Sequence, residues 1–324
     1  MMPREATRLA PSPTGRMHLG HAWSFLCAWG LAREHGWRIV LRMEDLDASR
    51  VSAEAERDTL WMLQWLGIDW DGPIERQSQR RQDYRSRMQE LAASGCVFEA
   101  PHSRAQLRAA QNPTSADDAR APNEGDAVVC FPAALRPAAD AWRFTDEQTN
   151  HRLALADERV EVVDELCGTR SFNPSSTWGD PLVWLKSGVP SYQLAVVVDD
   201  IAMGITDVVR GEDLHESAGL QQVIRTRLGA TRPPRWWHLP LVRDENGKRL
   251  AKRHDALALA TLAAQGATPE RVRGLVAFWA GATPSCEPMS IDSMRRLNWS
   301  VLLKTRAARP LTVSGLLLRW TTDR

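Results

Sequence analysis

The chain has 324 residues, 43% of them hydrophobic, and 41 basic against 40 acidic side chains, for a formal net charge of +1. The length holds a large core and more than one domain, while no apolar run reaches the roughly 18 residues of a membrane span and the start has no signal-peptide core. The charge balance excludes a globally basic nucleic-acid binder, and five scattered cysteines without a CxxC exclude a disulfide framework, so the expectation is a cytoplasmic protein with reduced, mostly buried thiols.

In chain order, residues 7–10 read as a short strand, 20–35 as a helix ending at Gly36, and 37–43 as a strand that delivers Glu44, Asp45 and Asp47 at its C-terminal end. Ser52 to Gly67 reads as an amphipathic helix with Leu60, Leu63 and Leu66 among its apolar positions. Arg76, Arg80, Arg81, Arg85 and Arg87 then form one candidate local basic patch, equally readable as a solvated helix face or as a phosphate contact. From roughly Gly95 to Lys186 the helical pattern gives way to β-like stretches such as Arg159 to Leu166, and the polar, proline-rich segment 112–125 reads as a mobile surface loop within that insertion. The sheet is expected to resume at Ser191 to Asp200 and continue with Asp207 to Arg210. Residues 268–306 read as helical, and 309–324 as a tail without an assignable element. The resulting expectation is a parallel α/β sheet covered on both faces, in two halves (1–95 and 187–260) interrupted by a smaller domain (96–186) and followed by a helical region (261–324). No internal repeat is visible, and the 14 tryptophans follow no period, so packing is their default role.

Two segments about 230 residues apart carry the chemistry. Ser12-Pro13-Thr14-Gly15-Arg16-Met17-His18-Leu19-Gly20-His21 puts a Pro/Gly loop and two imidazoles just before the apolar run Ala22 to Leu31. Both rings are therefore expected at a helix N-terminus, where unpaired backbone N–H groups and the helix dipole favour a phosphate. Gly247-Lys248-Arg249-Leu250-Ala251-Lys252-Arg253 is a basic loop able to bring Lys252 to the same phosphates. A histidine pair can also ligate a metal, but no third ligand is in register, so no metal site is expected there.

Arg8-Leu9-Ala10-Pro11-Ser12-Pro13-Thr14-Gly15 with His18-Leu19-Gly20-His21 resembles the first signature of class I aminoacyl-tRNA synthetases of the glutamyl branch, and Arg249 to Arg253 resembles the second. Arg42 to Asp47, Tyr192 to Asp200 and Gly204 to Leu214 match the same branch in the same order, as does Trp237 to Val242 ahead of the basic loop. The resemblance covers about residues 5–300. It implies a Rossmann-type catalytic domain with an inserted α+β domain of the acceptor-stem-binding kind and a small helical C-terminal region. It also implies a reaction in which the carboxylate of L-glutamate attacks the α-phosphorus of ATP, with Mg2+ on the pyrophosphate.

The roles implied by the resemblance are these: His18, His21 and Lys252 are catalytic; Arg8, Ala10, Ser12, Glu44, Tyr192 and Arg210 bind glutamate; and Pro11, Thr14, Gly15, His18, Gly20, His21, Arg249 and Lys252 bind ATP. Arginine forks pair bidentately with carboxylates, which favours glutamate over glutamine through charge. Only about 70 residues follow Arg253, too few for the anticodon-binding module of the longer members. That brevity resembles the short branch that attaches glutamate to the queuosine base in the anticodon of tRNA(Asp), so the implied partners are tRNA(Asp), L-glutamate and ATP, with a monomer and no membrane expected. The alternatives are a truncated glutamyl-tRNA synthetase charging a tRNA 3′ end and a catalytically weakened glutamate or RNA binder.

Several positions depart from the pattern. The short branch usually carries zinc in the insertion, but the aligned positions here read Ala100-Pro101-His102 and Phe131-Pro132-Ala133-Ala134-Leu135. One imidazole cannot hold tetrahedral zinc, so no zinc is expected, with Ala100, Phe131 and Leu135 packing in its place and His102 at the surface or capping a helix. Ala251 replaces a serine near the phosphates, Arg249 replaces a lysine with its charge kept, and Asp207 stands where histidine is common.

Overall fold

The computed structural model describes residues 4–103, 105–107, 130–244, 247, 258–306 and 311–313. The 112–125 loop, the basic segment apart from Gly247, and most of the tail lie outside these residues, and with them Arg249 and Lys252.

The first half is a parallel unit. β1 (Ala6–Leu9) pairs with β2 (Arg38–Met43), and β2 with the short β3 (Glu75–Arg76). β2 is buried from Ile39 to Met43, as a strand covered on both faces requires. α1 (Leu19–His35) starts at His18 and stops at Gly36, whose left-handed backbone (φ 68°) returns its N–H to the Ala32 carbonyl. α2 (Ala53–Trp65) begins where the Ser52 hydroxyl accepts from the Ala55 N–H, and α3 (Arg81–Ala93) follows.

The middle of the chain contributes β4 (Val97–Glu99), β5 (His151–Leu153), β6 (Val160–Asp164), β7 (Gly168–Phe172), α4 (Pro174–Trp178), β8 (Leu182–Leu185) and β9 (Val189–Pro190). Strands β4, β5, β8 and β9 make a small antiparallel sheet. The segment expected as a strand of the insertion, β6, does not join it. β6 forms a hairpin with β7 and lies parallel to a strand of the second half, with Asp164 opposite Trp236.

The second half comprises α5 (Tyr192–Ala202), β10 (Asp207–Gly211), α6 (His215–Arg227), β11 (Arg235–Leu239) and β12 (Val242–Asp244). The expectation of a strand at Ser191 to Asp200 is corrected: this stretch is helix. The β-branched run Val196-Val197-Val198 favours a strand reading, and because Gln193 to Asp200 are all buried the helix has no polar face to betray its period. Its start signal is Ser191, whose hydroxyl caps the Leu194 N–H.

β10 and β11 are parallel, giving a second sheet in the order β10-β11-β6-β7. β1 lies beside β10, with the Thr206 N–H donating to the Ala6 carbonyl at 2.9 Å and the Ala6 N–H to the Thr206 hydroxyl at 2.9 Å. The strand order thus reverses at β1 and β10, the first half building outward from β1 to β2 and β3 and the second from β10 to β11, and in such sheets the crevice beyond the strand C-termini at this point is the ligand site. α7 (Leu259–Ala264), α8 (Pro269–Ala280), α9 (Ile291–Arg295) and α10 (Trp299–Arg306) then pack on α1 and α2, and β13 (Leu311–Val313) pairs with β12.

Candidate active site

The crevice at the β1–β10 junction is lined by Arg8, Ala10, His18, Gly20, His21, Glu44, Tyr192 and Arg210, contributed by β1, the start of α1, the end of β2, the first residue of α5, and β10. Segments nearly 200 residues apart converge because each ends at the same edge of the sheet. The free space is about 210 Å³, below the range of about 300–1,000 Å³ that encloses drug-sized ligands, a scale suited to an amino acid. Ser12, Pro11, Thr14 and Gly15 do not line it. Ser12 stands at the rim, its hydroxyl 3.5 Å from the Glu44 carboxylate, and the Pro11 carbonyl accepts from the Glu44 N–H at 2.9 Å.

The histidine pair sits at the start of α1 as expected, but the expected unpaired backbone donors there are largely spent. The Gly20 N–H donates to His18 Nδ1 at 3.1 Å, the His18 N–H donates to His21 Nδ1 at 3.1 Å, and the His21 and Ala22 N–H groups return to the His18 carbonyl. With both Nδ1 atoms acting as acceptors, each neutral ring carries its proton on Nε2. The helix start thus brings two imidazoles together, 3.9 Å apart between ring centres, at the positive end of the helix dipole.

A buried ion network holds the floor. Arg42 reaches Asp200 at 2.6 Å, Glu44 at 3.2 Å and Asp199 at 3.7 Å, and Arg8 reaches Asp200 at 3.3 Å. Asp199 is further satisfied by Gln77, Arg80 and Tyr84. Burial pushes the Asp200 carboxyl up, but Arg42 and Arg8 outweigh it and hold the group below the usual carboxylate range. At Glu44 burial wins over the same two arginines and the carboxyl lies above its usual value. An ammonium placed beside Glu44 would relieve that cost. Burial, then the neighbouring Glu44, raises the Tyr192 phenol.

Arg210 differs from the other arginines of the crevice. Its described partners are neutral: His238 Nε2 at 3.1 Å, Gln221 Oε1 at 2.8 Å and the Leu214 carbonyl at 3.0 Å. Among the described residues no carboxylate lies within ion-pair distance of it, and burial brings its pKa down to about 10. It remains a cation near neutrality, and an incoming carboxylate would supply its counter-charge.

Sequence reasoning missed part of the lining. Ser24, Phe25 and Ala28 follow His21 at helical spacing on α1, a signal available from the period alone. Trp23 donates its indole N–H to the Pro240 carbonyl at 3.0 Å, tying α1 to the segment after β11, and Asp213 and Leu241 complete the wall.

Other expectations resolve away from the crevice. Asp207 is buried and takes a two-pronged pair from Arg235 at 2.8 Å and 2.8 Å, which clamps β10 to β11. In the basic cluster, Arg76, Arg80, Arg85 and Arg87 pair with Glu56, Asp199 and Asp83, Glu147 and Glu90, which favours the solvated ion-pair reading. Ala100 and Phe131 pack with Phe98 and Leu107, and Leu135 rests against them. His102 is half-buried and meets Phe131 edge-on, 5.7 Å between ring centres, while the neighbouring Ser103 hydroxyl accepts from the Gln106 N–H. A tetrahedral structural zinc needs four side-chain ligands, usually Cys or His and sometimes Asp or Glu, and this apolar cluster with one imidazole does not fit the ion. Asp164, His215 and His238 lie close enough to share a metal, but both ring nitrogens of His238 are already engaged by Asp164 and Arg210.

Comparison with known proteins places these observations. Residues 6–287 match the family model for the catalytic domain of class I tRNA synthetases (E and Q). The chain is similar to a Glutamyl-Q tRNA(Asp) synthetase of Nitratidesulfovibrio vulgaris, with 38% identity over 92% of this chain and 93% of the relative. It is also similar to a Glutamate--tRNA ligase of a Synechococcus strain, with 36% identity over 87% of this chain but only 58% of that relative. Among solved structures, the glutamate-tRNA synthetase of Elizabethkingia anophelis shares the fold, with a TM-score of 0.80 at 24% identity over 98% of this chain and 70% of the other. The chain therefore belongs to the class I tRNA synthetase family of the glutamate and glutamine type.

Proposed function

We propose that this protein activates L-glutamate with ATP and transfers the glutamyl group to the queuosine base in the anticodon of tRNA(Asp). The observation that carries the reading is the convergence of Arg8, Glu44, Tyr192 and Arg210 on the same crevice as the His18–His21 helix start. Two buried guanidiniums and one buried carboxylate are a charge pattern complementary to an amino acid with a second carboxylate.

In the first step an oxygen of the glutamate α-carboxylate bonds to the α-phosphorus of ATP, the bond from that phosphorus to the bridging oxygen breaks, and pyrophosphate leaves with the electron pair. Charge gathers on phosphoryl oxygens, so the protein's part is orientation and electrostatic support. The Nε2–H groups of His18 and His21 serve that charge, and Lys252 and Arg249 are assigned to it through the motif they occupy. Mg2+ bound with ATP would supply further charge neutralisation. In the second step a hydroxyl of the modified base attacks the glutamyl carbonyl and AMP departs.

The similarity to a Glutamyl-Q tRNA(Asp) synthetase, at 38% identity over 92% of this chain and 93% of that relative, supports the base-modifying reading. The test is incubation with ATP, labelled glutamate and tRNA(Asp) with or without queuosine. Labelling confined to queuosine-bearing tRNA is the expected result. Labelling indifferent to queuosine would transfer the assignment to 3′ charging, and absence of glutamate-dependent ATP–pyrophosphate exchange would leave a binder.

A further inference from the structure

Behind Arg210 runs a buried line of hydrogen bonds that does not touch the crevice. The Asp164 carboxylate accepts four: from the Leu166 and Cys167 N–H groups on one oxygen, both at 2.8 Å, and from the His238 N–H at 3.1 Å and His238 Nδ1 at 2.6 Å on the other. His238 Nε2 then accepts from Arg210 Nε at 3.1 Å. Neither end is ambiguous. An ionised carboxylate can only accept and a guanidinium can only donate, so His238 must be neutral with its proton on Nδ1.

The ring is fixed by packing as well. His215 stacks on it at 4.4 Å and Trp236 at 5.8 Å, and the Arg210 guanidinium lies over Trp236 at 4.7 Å. On the other side Gln221 accepts from Arg210 and donates to Gln193, which donates to Ser217. Among the described residues the Nε–H and one N–H on each terminal nitrogen are thus engaged, which leaves two of the five guanidinium donors, one on each terminal nitrogen, for a ligand.

We infer that His238, with its tautomer set by Asp164, is a positioning residue that aims the Arg210 fork into the crevice and makes that arginine selective for a carboxylate over an amide. The inference rests on the glutamate reading above. A carboxylate uses both remaining donors as an acceptor pair, whereas a carboxamide presents one acceptor and one donor to a fork that has only donors to give. A charged partner in place of His238 would neutralise Arg210 in the free protein and compete with the substrate. A neutral acceptor orients the arginine and leaves its charge unspent.

The test compares His238→Phe, which keeps a stacking ring without the acceptor, with His238→Gln, which keeps an acceptor, in glutamate-dependent ATP–pyrophosphate exchange by the full chain. His238→Phe is expected to raise the glutamate KM by about 10- to 100-fold, the worth of one hydrogen bond to a charged group, to lower the preference for glutamate over glutamine, and to leave the ATP KM unchanged. His238→Gln is expected to recover most of that loss. Equal effects of the two variants on glutamate and ATP, or an unchanged glutamate KM, overturn the inference. Nitrogen-15 NMR of the wild-type imidazole gives a readout independent of turnover and of variant folding. A proton on Nε2 rather than Nδ1 overturns the positioning role even if the protein performs no exchange, whereas failed exchange with the expected tautomer counts against the proposed function alone.

Discussion

Glu44 is the crevice carboxyl at which burial outweighs its arginine neighbours. Burial raises its carboxyl above the ordinary range despite Arg42 and Arg8, so in the free protein it takes up a proton at a higher pH than an exposed glutamate does. Binding an ammonium requires the ionised form, and the affinity for glutamate is expected to fall as pH drops through this raised value. Glu44→Gln should weaken glutamate binding by about 10- to 100-fold and flatten the acid limb, which the pH profile of the glutamate KM measures. Arg42 is the complementary case. It is fully buried and contacts Glu44, Asp199 and Asp200, so Arg42→Met leaves carboxylates stranded in the core and should cost about 3–5 kcal/mol in urea unfolding. The sign of the pH effect follows from Asp200, whose folded pKa is depressed. Its stabilisation is present above the unfolded value near 3.9 and is lost as pH falls through the lower folded value, and Arg42→Met should remove that dependence. Arg8, Glu44, Tyr192 and Arg210 were legible because each sits in a local motif. Asp164, His238 and Gln221 were not, since their meaning lies in a contact with Arg210 that spacing along the chain does not encode.

At the scale of elements, α1 was readable from both ends, from His18 at its start and Gly36 at its stop, whereas α5 was misread because a helix buried on every side loses the polar stripe that marks its period. The packing of α1 on α10 was equally hidden. A Cβ on Gly30 would collide with the indole of Trp299, so the two helices approach as closely as they do only because position 30 lacks a side chain. Gly30→Ala is expected to cost about 1–3 kcal/mol through overpacking, read as a lowered urea midpoint with an unchanged slope. In the background of Trp299→Leu the same substitution should cost much less, and the double-mutant cycle measures the difference. Additive costs would mean that the helices separate freely.

For the whole molecule, the question is whether the C-terminal helices are an appendage or part of the catalytic body, since the sequence reads residues 261–324 as a helical region that follows the catalytic halves. The main core answers through its membership: Leu262 of α7, Val272, Leu275 and Trp279 of α8, Met294 of α9 and Trp299 and Leu303 of α10 belong to the same buried cluster as Leu9, Trp23, Trp29 and Leu41 of the nucleotide-binding half. The junction is polar as well as apolar. Arg273, buried on α8, donates to the Leu66 carbonyl at the end of α2, and the Ser300 hydroxyl of α10 donates to Glu34 of α1. Removing the chain after Ala258 would expose the face of α1 opposite the crevice, and that helix carries both His18 and His21 at its start. Each large apolar side chain uncovered loses about 1.5–3 kcal/mol, so a handful exceeds the 5–15 kcal/mol that a domain has in total. A protein truncated at residue 258 is therefore expected to lack a cooperative urea transition and fixed tertiary structure in near-ultraviolet circular dichroism, and to lose glutamate-dependent exchange although it keeps every described residue lining the crevice. A truncated chain that still unfolded cooperatively and exchanged pyrophosphate would make the helices a separable module. α1 would then be held in place by its packing on β1, β2, β10 and β12 and by the Trp23–Pro240 bond.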